Sequence, residues 1–320
     1  PIKITTHTAD DFQPAVSPDG KMVAFVSNRS GNNDIWLVPI NGGPASQMTF
    51  HTASDSAPAW SRDGKRLAFA SLREDSKGDI WVLDLEGNIE SRITDSRGAE
   101  SYPSWFPDGK RIAFSRGEGI WSIDLPTHKE ERLFNGFYPS VSPDGKYIAF
   151  ISLDDSPSPQ SSPARGEEAE KESLPSSGGK GSIYLYKTAD NKITRLTSGE
   201  FSDAFPSWSP DGREIYFSRF AEDTNNDGLI DIKDNPSIWK IEFSAESDNS
   251  KLKTQNSKFA VQLTSGSSYE LFPSATDNSV IYAASKGKDM DIYRVQRNGE
   301  IPKLKTAREQ LELHPPAKVS

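Results

Sequence analysis

Apolar and polar positions alternate along short stretches of this chain, and the alternation returns six times. The stretches carry Val23 and Phe25, Leu67 and Phe69, Ile112 and Phe114, Ile148 and Phe150, Ile215 and Phe217, and finally Ile281. A period of two is that of a strand, whose side chains point to opposite faces in turn. An aliphatic–aromatic pair follows each stretch and predicts a second strand: Ile35-Trp36, Ile80-Trp81, Ile120-Trp121, Ile183-Tyr184, Ile238-Trp239 and Ile292-Tyr293. A third strand signal closes five copies, at Met48-Thr49, Ile93-Thr94, Leu133-Phe134, Leu196-Thr197 and Leu263-Thr264.

Prolines punctuate the pattern. Pro14, Pro58, Pro103, Pro139, Pro206 and Pro273 each open a copy, and an Asp-Gly turn follows the first five, as in Pro18-Asp19-Gly20-Lys21 and Pro210-Asp211-Gly212-Arg213. Asp and Gly tolerate the backbone angles of a tight hairpin. In the sixth copy the turn decays to Thr276-Asp277-Asn278-Ser279. Each copy therefore reads as four strands, A to D, with A just after the proline. A repeat of about 40 to 45 residues with four strands is that of a propeller blade. A blade buries neither face alone, so the copies must close on one another. The prediction is an all-β, six-bladed β-propeller of four-stranded antiparallel blades over residues 1–306, with a tail at 307–320. The anchor prolines lie 44, 45, 36, 67 and 67 residues apart. The two long gaps exceed a normal blade by about 25 residues, too few for a seventh. They are assigned to long B–C loop insertions in blades 4 and 5, at 154–181 and 220–236.

The motif Ser-Pro-Asp-Gly-Lys, then Ile-Ala-Phe, then Ser-x-Arg-x-Gly-x-x-Asp-Ile-Trp, then Gly-Gly and Leu-Thr is followed nearly throughout by Ser17 to Thr49. It resembles TolB-like propeller repeats, over about residues 2 to 306. Similar repeats occur in the envelope protein TolB, in tricorn-type proteases and in exported proteins of other kinds. The resemblance implies a six-bladed ring, an exported or periplasmic setting and a protein partner. Ring closure has two candidates. Ile2-Lys3-Ile4-Thr5 reads as a strand D without A, B or C before it, and Ile301 to Thr306 is the alternative. Pro302 makes the second the poorer strand.

Bulk composition narrows the function classes. The chain has 320 residues, with 37 basic against 46 acidic side chains and a net charge of −9. That balance speaks against a phosphate-backbone binder, which needs a basic stripe. No apolar run reaches the roughly 18 residues of a membrane-spanning helix. Cysteine is absent, which excludes disulfides, thiolate metal sites and cysteine nucleophiles. The start at Pro1 reads as a processed or trimmed end.

The sharpest chemical motif is Asp223 to Asp234, which matches a twelve-position calcium loop. Asp223, Asn225 and Asp227 offer oxygens at positions 1, 3 and 5, Gly228 allows the sharp turn, and Asp231 and Asp234 stand at 9 and 12. Alternate spacing lets these side chains converge on one hard cation, with the Leu229 carbonyl at position 7. The expected cofactor is Ca2+, rigidifying the B–C loop of blade 5; the segment resembles dockerin-type loops. A plain acidic turn is the alternative. The insertion at 154–181, rich in Pro, Ser, Gly and Glu, cannot bury enough apolar surface to fold alone.

Three residues before the anchor prolines stand Asp11, Asp55, Glu100, Gly136, Asp203 and Glu270, and strand B ends in Arg29, Arg73, Arg116, Leu153, Arg219 and Lys286. Blade 4 lacks both partners, as mutually satisfying ion pairs would. Structural pairs are therefore expected in place of a channel site. His7 and His51 are repeat-equivalent, and none of the four histidines has zinc spacing. There is no Gly-x-Ser-x-Gly elbow and no phosphate loop, and the stretch after Thr306 is too short for a catalytic domain. The function expected is a non-catalytic interaction or assembly platform that docks protein through the upper face, where B–C loops, D–A connections and all departures from the repeat are placed. The alternative is a substrate-gating propeller of a tricorn- or prolyl-oligopeptidase-like peptidase whose catalytic domain lies elsewhere.

Overall fold

The computed structural model describes residues 1–74, 76–153, 157, 181–226, 230, 233–244 and 260–297. Within them the chain builds six four-stranded antiparallel sheets, and no helix is among the described residues. In blade 1, strand A is Asp11–Val16, B Met22–Ser27, C Asp34–Pro39 and D Ser46–Gln47, paired in that order. The later strands A are Asp55–Trp60, Glu100–Trp105, Phe137–Val141, Ser202–Trp208 and Tyr269–Ala275. No helix is long and apolar enough to cross a membrane among these residues.

The alternation along strand B has a different meaning from core against water. Val23, Ala24, Phe25 and Val26 are all 0% exposed. Val23 and Phe25 pack with Ile281, Ala283 and Ile292 of blade 6, whereas Ala24 and Val26 pack with Leu67 and Phe69 of blade 2. Period two thus sorts side chains between two neighbouring blades. Six apolar clusters of this kind, one per interface, hold the ring. Each buried Phe, Ile or Leu contributes roughly 1.5–3 kcal/mol.

Polar stitches accompany them. Trp60, Trp105 and Trp208 donate their indole N–H to the carbonyls of Ala15, Ala59 and Ser140 in the preceding blade, at 3.0, 3.2 and 3.0 Å. Where the position holds valine the contact changes hands. The Val16 and Val141 amides donate to the hydroxyls of Ser274 and Ser104, each at 3.0 Å.

The N-terminal strand closes the ring. Ile2–Lys3 pairs antiparallel with strand C of blade 6, Met290–Gln296. The Ile4 amide donates to the Ile292 carbonyl at 2.8 Å, and Thr5 Oγ1 accepts the Ile292 amide at 3.0 Å. That second bond repeats the strand-D threonines: Thr49, Thr94, Thr197 and Thr264 accept from Ile35, Ile80, Ile183 and Ile238. Lys3 Nζ adds an ion pair to Asp291 at 2.7 Å. The other closing candidate, 301–306, lies outside the described residues, as does the tail at 307–320.

Strand pairing also fixes which end of the ring each connection leaves from. The connection after Ser152, which pairs with Ser182, leaves blade 4 at the end opposite the Asp-Gly turns. Of that insertion, 154–156 and 158–180 lie outside the described residues. Blade 5 departs from the expectation. Its extra length is split between the B–C connection, Phe220 to Ser237, and a second excursion between Glu242 of strand C and Val261 of strand D. A C–D connection leaves at the turn end, so departures from the repeat occur at both ends of the ring. One long gap between prolines cannot say which of two connections grew.

Candidate functional site

The ring axis is closed by side chains that the repeat places one residue before each anchor proline. Gln13, Ala57, Tyr102, Tyr138, Phe205 and Phe272 all have φ between 49° and 56°. In every blade the A–B register slips at this point, as between Phe12 and Ala15 or Leu271 and Ser274. A bulge bends the strand and re-aims one side chain, here with its residue in the left-handed region. Four aromatic rings meet as a result. Tyr102 and Tyr138 lie 4.4 Å apart, Tyr138 and Phe205 4.7 Å, and Phe205 and Phe272 4.3 Å. Gln13 links the rest: it donates to Tyr102 Oη at 3.2 Å and accepts the Ala57 amide at 2.8 Å. Burial pushes the Tyr102 phenol up to about 12 and Tyr138 higher still, so both stay protonated.

This aromatic layer is the floor of a funnel of about 480 Å³ that opens among the Asp-Gly turns. Pro14, Pro58, Pro143 and Pro210 line it with Ser104 and Ser140. Sequence reasoning missed the floor, although its signal is present: the residue before the anchor proline is aromatic in four of six copies.

At the other end of strand A the carboxylates form clamps. Arg29 Nη2 donates to both oxygens of Asp11 at 2.7 and 2.8 Å, and its guanidinium lies over Phe25 and Trp36, 5.3 and 4.8 Å from their centroids. Arg73 holds Asp55 and lies over Phe69 and Trp81 in the same way. Arg116 holds Glu100 over Phe114 and Trp121, and Arg219 holds Asp203 over Phe217 and Trp239. The expected structural pairs are therefore present in blades 1, 2, 3 and 5. The arginines are not all equivalent, however. Arg116 and Arg219 stand directly opposite their carboxylates, whereas Ser27 and Ser71 stand opposite Asp11 and Asp55, with the arginine two residues further on.

Blade 4 has neither partner because nothing larger than glycine fits. A Cβ on Gly136 would fall 2.4 Å from the Phe150 ring. Blade 6 keeps the acid and loses the pair. Glu270 is 1% exposed, and its Oε2 is buried with no hydrogen-bond partner. The expected partner Lys286 instead places Nζ over the Tyr293 ring, 4.6 Å from its centroid. Burial pushes the Glu270 carboxyl up, against the Thr264 and Ser268 hydroxyls and the more distant charge of Lys286. The Tyr282 hydroxyl beside it is also buried without a partner.

Of the six residues proposed for calcium, Asp227, Leu229 and Asp231 lie outside the described residues. Asp223, Asn225 and Asp234 are described. Asp234, fully buried, accepts the Thr224 amide at 2.7 Å and the Asn225 amide at 3.3 Å through Oδ1. Asp234 thus ties the two described ends of the loop together. Among the described residues no three His, Asp or Glu side chains gather into a metal site. His7 and His51 accept the amides of Ala9 and Ala53 on Nδ1, at 3.0 and 3.1 Å, which makes them equivalent local caps.

Comparison with known proteins agrees with this construction. Residues 1–78 match the model of the Tricorn protease N-terminal beta propeller domain, and 52–174 match that of the TolB beta propeller domain. The chain is a TolB-like six-bladed β-propeller. A putative TolB from Agrobacterium tumefaciens superposes on this TolB-like ring with a TM-score of 0.60 at 18% identity, covering 91% of each chain. TolB from Acinetobacter baumannii gives 0.56 at 18% identity, over 90% of this chain but 66% of its own. The TolB-like propeller thus spans 66% of the Acinetobacter protein's length. Oligogalacturonate lyase from Vibrio parahaemolyticus gives 0.53 at 14% identity over 92% of both chains. No curated protein matches the sequence. At these identities the likeness is one of fold, and the same ring serves a lyase and proteins called TolB.

Proposed function

We propose that this TolB-like propeller is a non-catalytic protein-interaction and assembly platform, an exported or periplasmic subunit of a larger complex. Its partner docks on the end of the ring that carries the B–C loops. The observation that carries this reading is the placement of 154–180 and 221–236: adjacent blades 4 and 5 both interrupt the repeat at that end. Loops on a rigid ring are where binding residues concentrate. Calcium on Asp223, Asn225, Asp227, Leu229, Asp231 and Asp234 would fix the second loop in one shape, and its role is to order that loop. The four clamped carboxylates are engaged by guanidinium groups and the axial phenols are held protonated, which suits a binding role.

The test is capture of partners from the native host by the intact chain and by a chain lacking 154–181 and carrying Asp223→Ala with Asp227→Ala, in calcium and in chelator. Partners retained only by the intact, calcium-loaded chain are the expected result. Equal recovery by both forms would overturn loop-end docking and turn attention to the funnel. A substrate-gating propeller of a peptidase is the second reading, and the match of residues 1–78 to the Tricorn propeller favours it. Co-purification of a peptidase activity, or a coding sequence that runs on into a hydrolase domain, would decide for it.

A further inference from the structure

The clamps of blades 1, 2, 3 and 5 show what their common site recognises. A carboxylate from strand A faces an aromatic ring on strand B and another on strand C, and one guanidinium fills the space between them. The guanidinium arrives from two different backbone positions. In blades 3 and 5 it comes from the residue opposite the carboxylate, in blades 1 and 2 from two residues beyond, where strand B runs out toward the loops. The receptor is therefore defined by carboxylate and rings, and is indifferent to where the arginine is attached.

Blade 6 retains the carboxylate and both rings, which here stack on each other with centroids 6.1 Å apart. Glu270 stands opposite Ala284 as Asp11 stands opposite Ser27, and Tyr282 pairs with Tyr293 as Phe25 pairs with Trp36. Only the guanidinium is missing. Ala284 cannot supply one, and Lys286, at the position of Arg29, is an ammonium whose head stays on Tyr293. A compact ammonium offers no planar fork for a bidentate contact, and arginine and lysine are not interchangeable at such sites. Two buried polar atoms, Glu270 Oε2 and Tyr282 Oη, lie beyond hydrogen-bond distance of any partner, although the Thr264 and Ser268 hydroxyls and the Gly266 amide act on the Glu270 carboxyl. Lys286 itself is exposed, so its head can be displaced toward solvent.

The geometry points to blade 6 as a receptor for a guanidinium supplied from outside the chain, an arginine side chain of the docked protein, inserted from the loop end onto Glu270 between Tyr282 and Tyr293. The inference rests on the loop-end platform reading and names the chemistry by which the partner is recognised. The arginine would give Glu270 the guanidinium contact its four counterparts have, and stack as they do.

The probe is N-acetyl-arginine N-methylamide, with its lysine counterpart as control, followed by thermal shift and by tyrosine ring NMR signals of the full chain. Wild type should show a saturable rise in Tm, half-complete at or below about 10 mM, with the lysine probe at least about tenfold weaker. Lys286→Arg supplies the missing group from within the chain and should abolish the response while raising the starting Tm. Glu270→Gln should abolish it as well. An equal saturable response in wild type and Lys286→Arg would overturn the assignment, as would no saturable response in wild type. The probe needs no partner, so the two readings fail separately. Probe binding with loop-independent capture sinks the platform and leaves the receptor. Loop-dependent capture without probe binding does the reverse.

Discussion

Blade 1 and blade 6 bury a carboxylate at the same register and treat it in opposite ways. Asp11 is closed by both of its oxygens on Arg29, whereas Glu270 keeps one oxygen without a partner. The Asp-Gly turn of blade 1 is intact, and that of blade 6 has decayed. Blade 1 takes all four strands from consecutive chain, whereas blade 6 borrows its outer strand from residues 2–3. The blade that closes the ring also leaves its buried acid unclamped. A repeat held by its neighbours tolerates such losses in one copy, because each interface contributes separately. Where a decayed copy keeps one costly feature, here a buried acid, that feature is worth testing as function.

The largest effect should come from the latch. Ile4 is 3% exposed and packs with Val23 and Phe25. Removing residues 1–5 exposes that cluster and leaves the Ile292 amide and carbonyl without partners, at a cost above about 3 kcal/mol. Urea unfolding would show it as a lower midpoint, and hydrogen exchange should be fastest in strand C of blade 6. Unchanged exchange there would mean that another segment closes the ring.

The next two changes set the carboxylates against each other. Asp11→Asn leaves the partly buried Arg29 without its counter-charge and should lose about 1–3 kcal/mol. Glu270→Gln should gain, by about 1 kcal/mol at pH 7, since it removes a buried charge that no guanidinium offsets. Burial raises the folded Glu270 carboxyl above its ordinary value of 4.5, so the folded state holds the proton more tightly than the unfolded one. The penalty in wild type is therefore present above the folded pKa and vanishes as pH falls below the ordinary one. Denaturation midpoints of the two proteins should converge near pH 4. A parallel loss in both variants would show that Glu270 is as well paired as Asp11.

Much of this was legible in the sequence, for one physical reason. Strand B and C positions, the strand-D threonines and the clamping acids repeat because each blade meets the same neighbours, so Thr5 could be read as a strand D before any pairing was seen. What stayed hidden depends on contacts across the axis or on which loop grew. The left-handed residues before Pro103 and Pro206 look like ordinary strand positions, and only the bulge turns Tyr102 and Phe205 onto one another. Lys286 reads as a conservative stand-in for arginine, and its ammonium rests over Tyr293 instead of on Glu270. The excursion between Glu242 and Val261 has no signature separating it from the B–C loop, because spacing between prolines sums the two.

The smallest expected effect lies in the turns, where blades 1 and 6 again differ. Asp19 accepts the Ser17 hydroxyl at 2.6 Å and the Lys21 amide at 3.1 Å. The Ser17 hydroxyl first, and that amide second, hold the Asp19 carboxyl below its ordinary 3.8. In blade 6 the Thr276 hydroxyl takes over as acceptor, from the amides of Ser279 at 2.8 Å and Asn278 at 3.2 Å, with no titrating group involved. A depressed folded pKa means that the unfolded state takes up protons first, so the Asp19 contribution is whole above 3.8 and fades as pH falls through the folded value. Asp19→Asn should cost less than about 1 kcal/mol at neutral pH, because the site is open to water. As pH falls below 3.8 and through the folded value that small deficit should disappear, since the wild-type carboxylate is then protonated too. Thr276→Val in blade 6 should carry a deficit of similar size that does not change over the same range. Equal pH dependence in the two variants would mean that the acid unfolding is set elsewhere in the ring, and that the Asp-Gly turn is kept for its backbone shape alone.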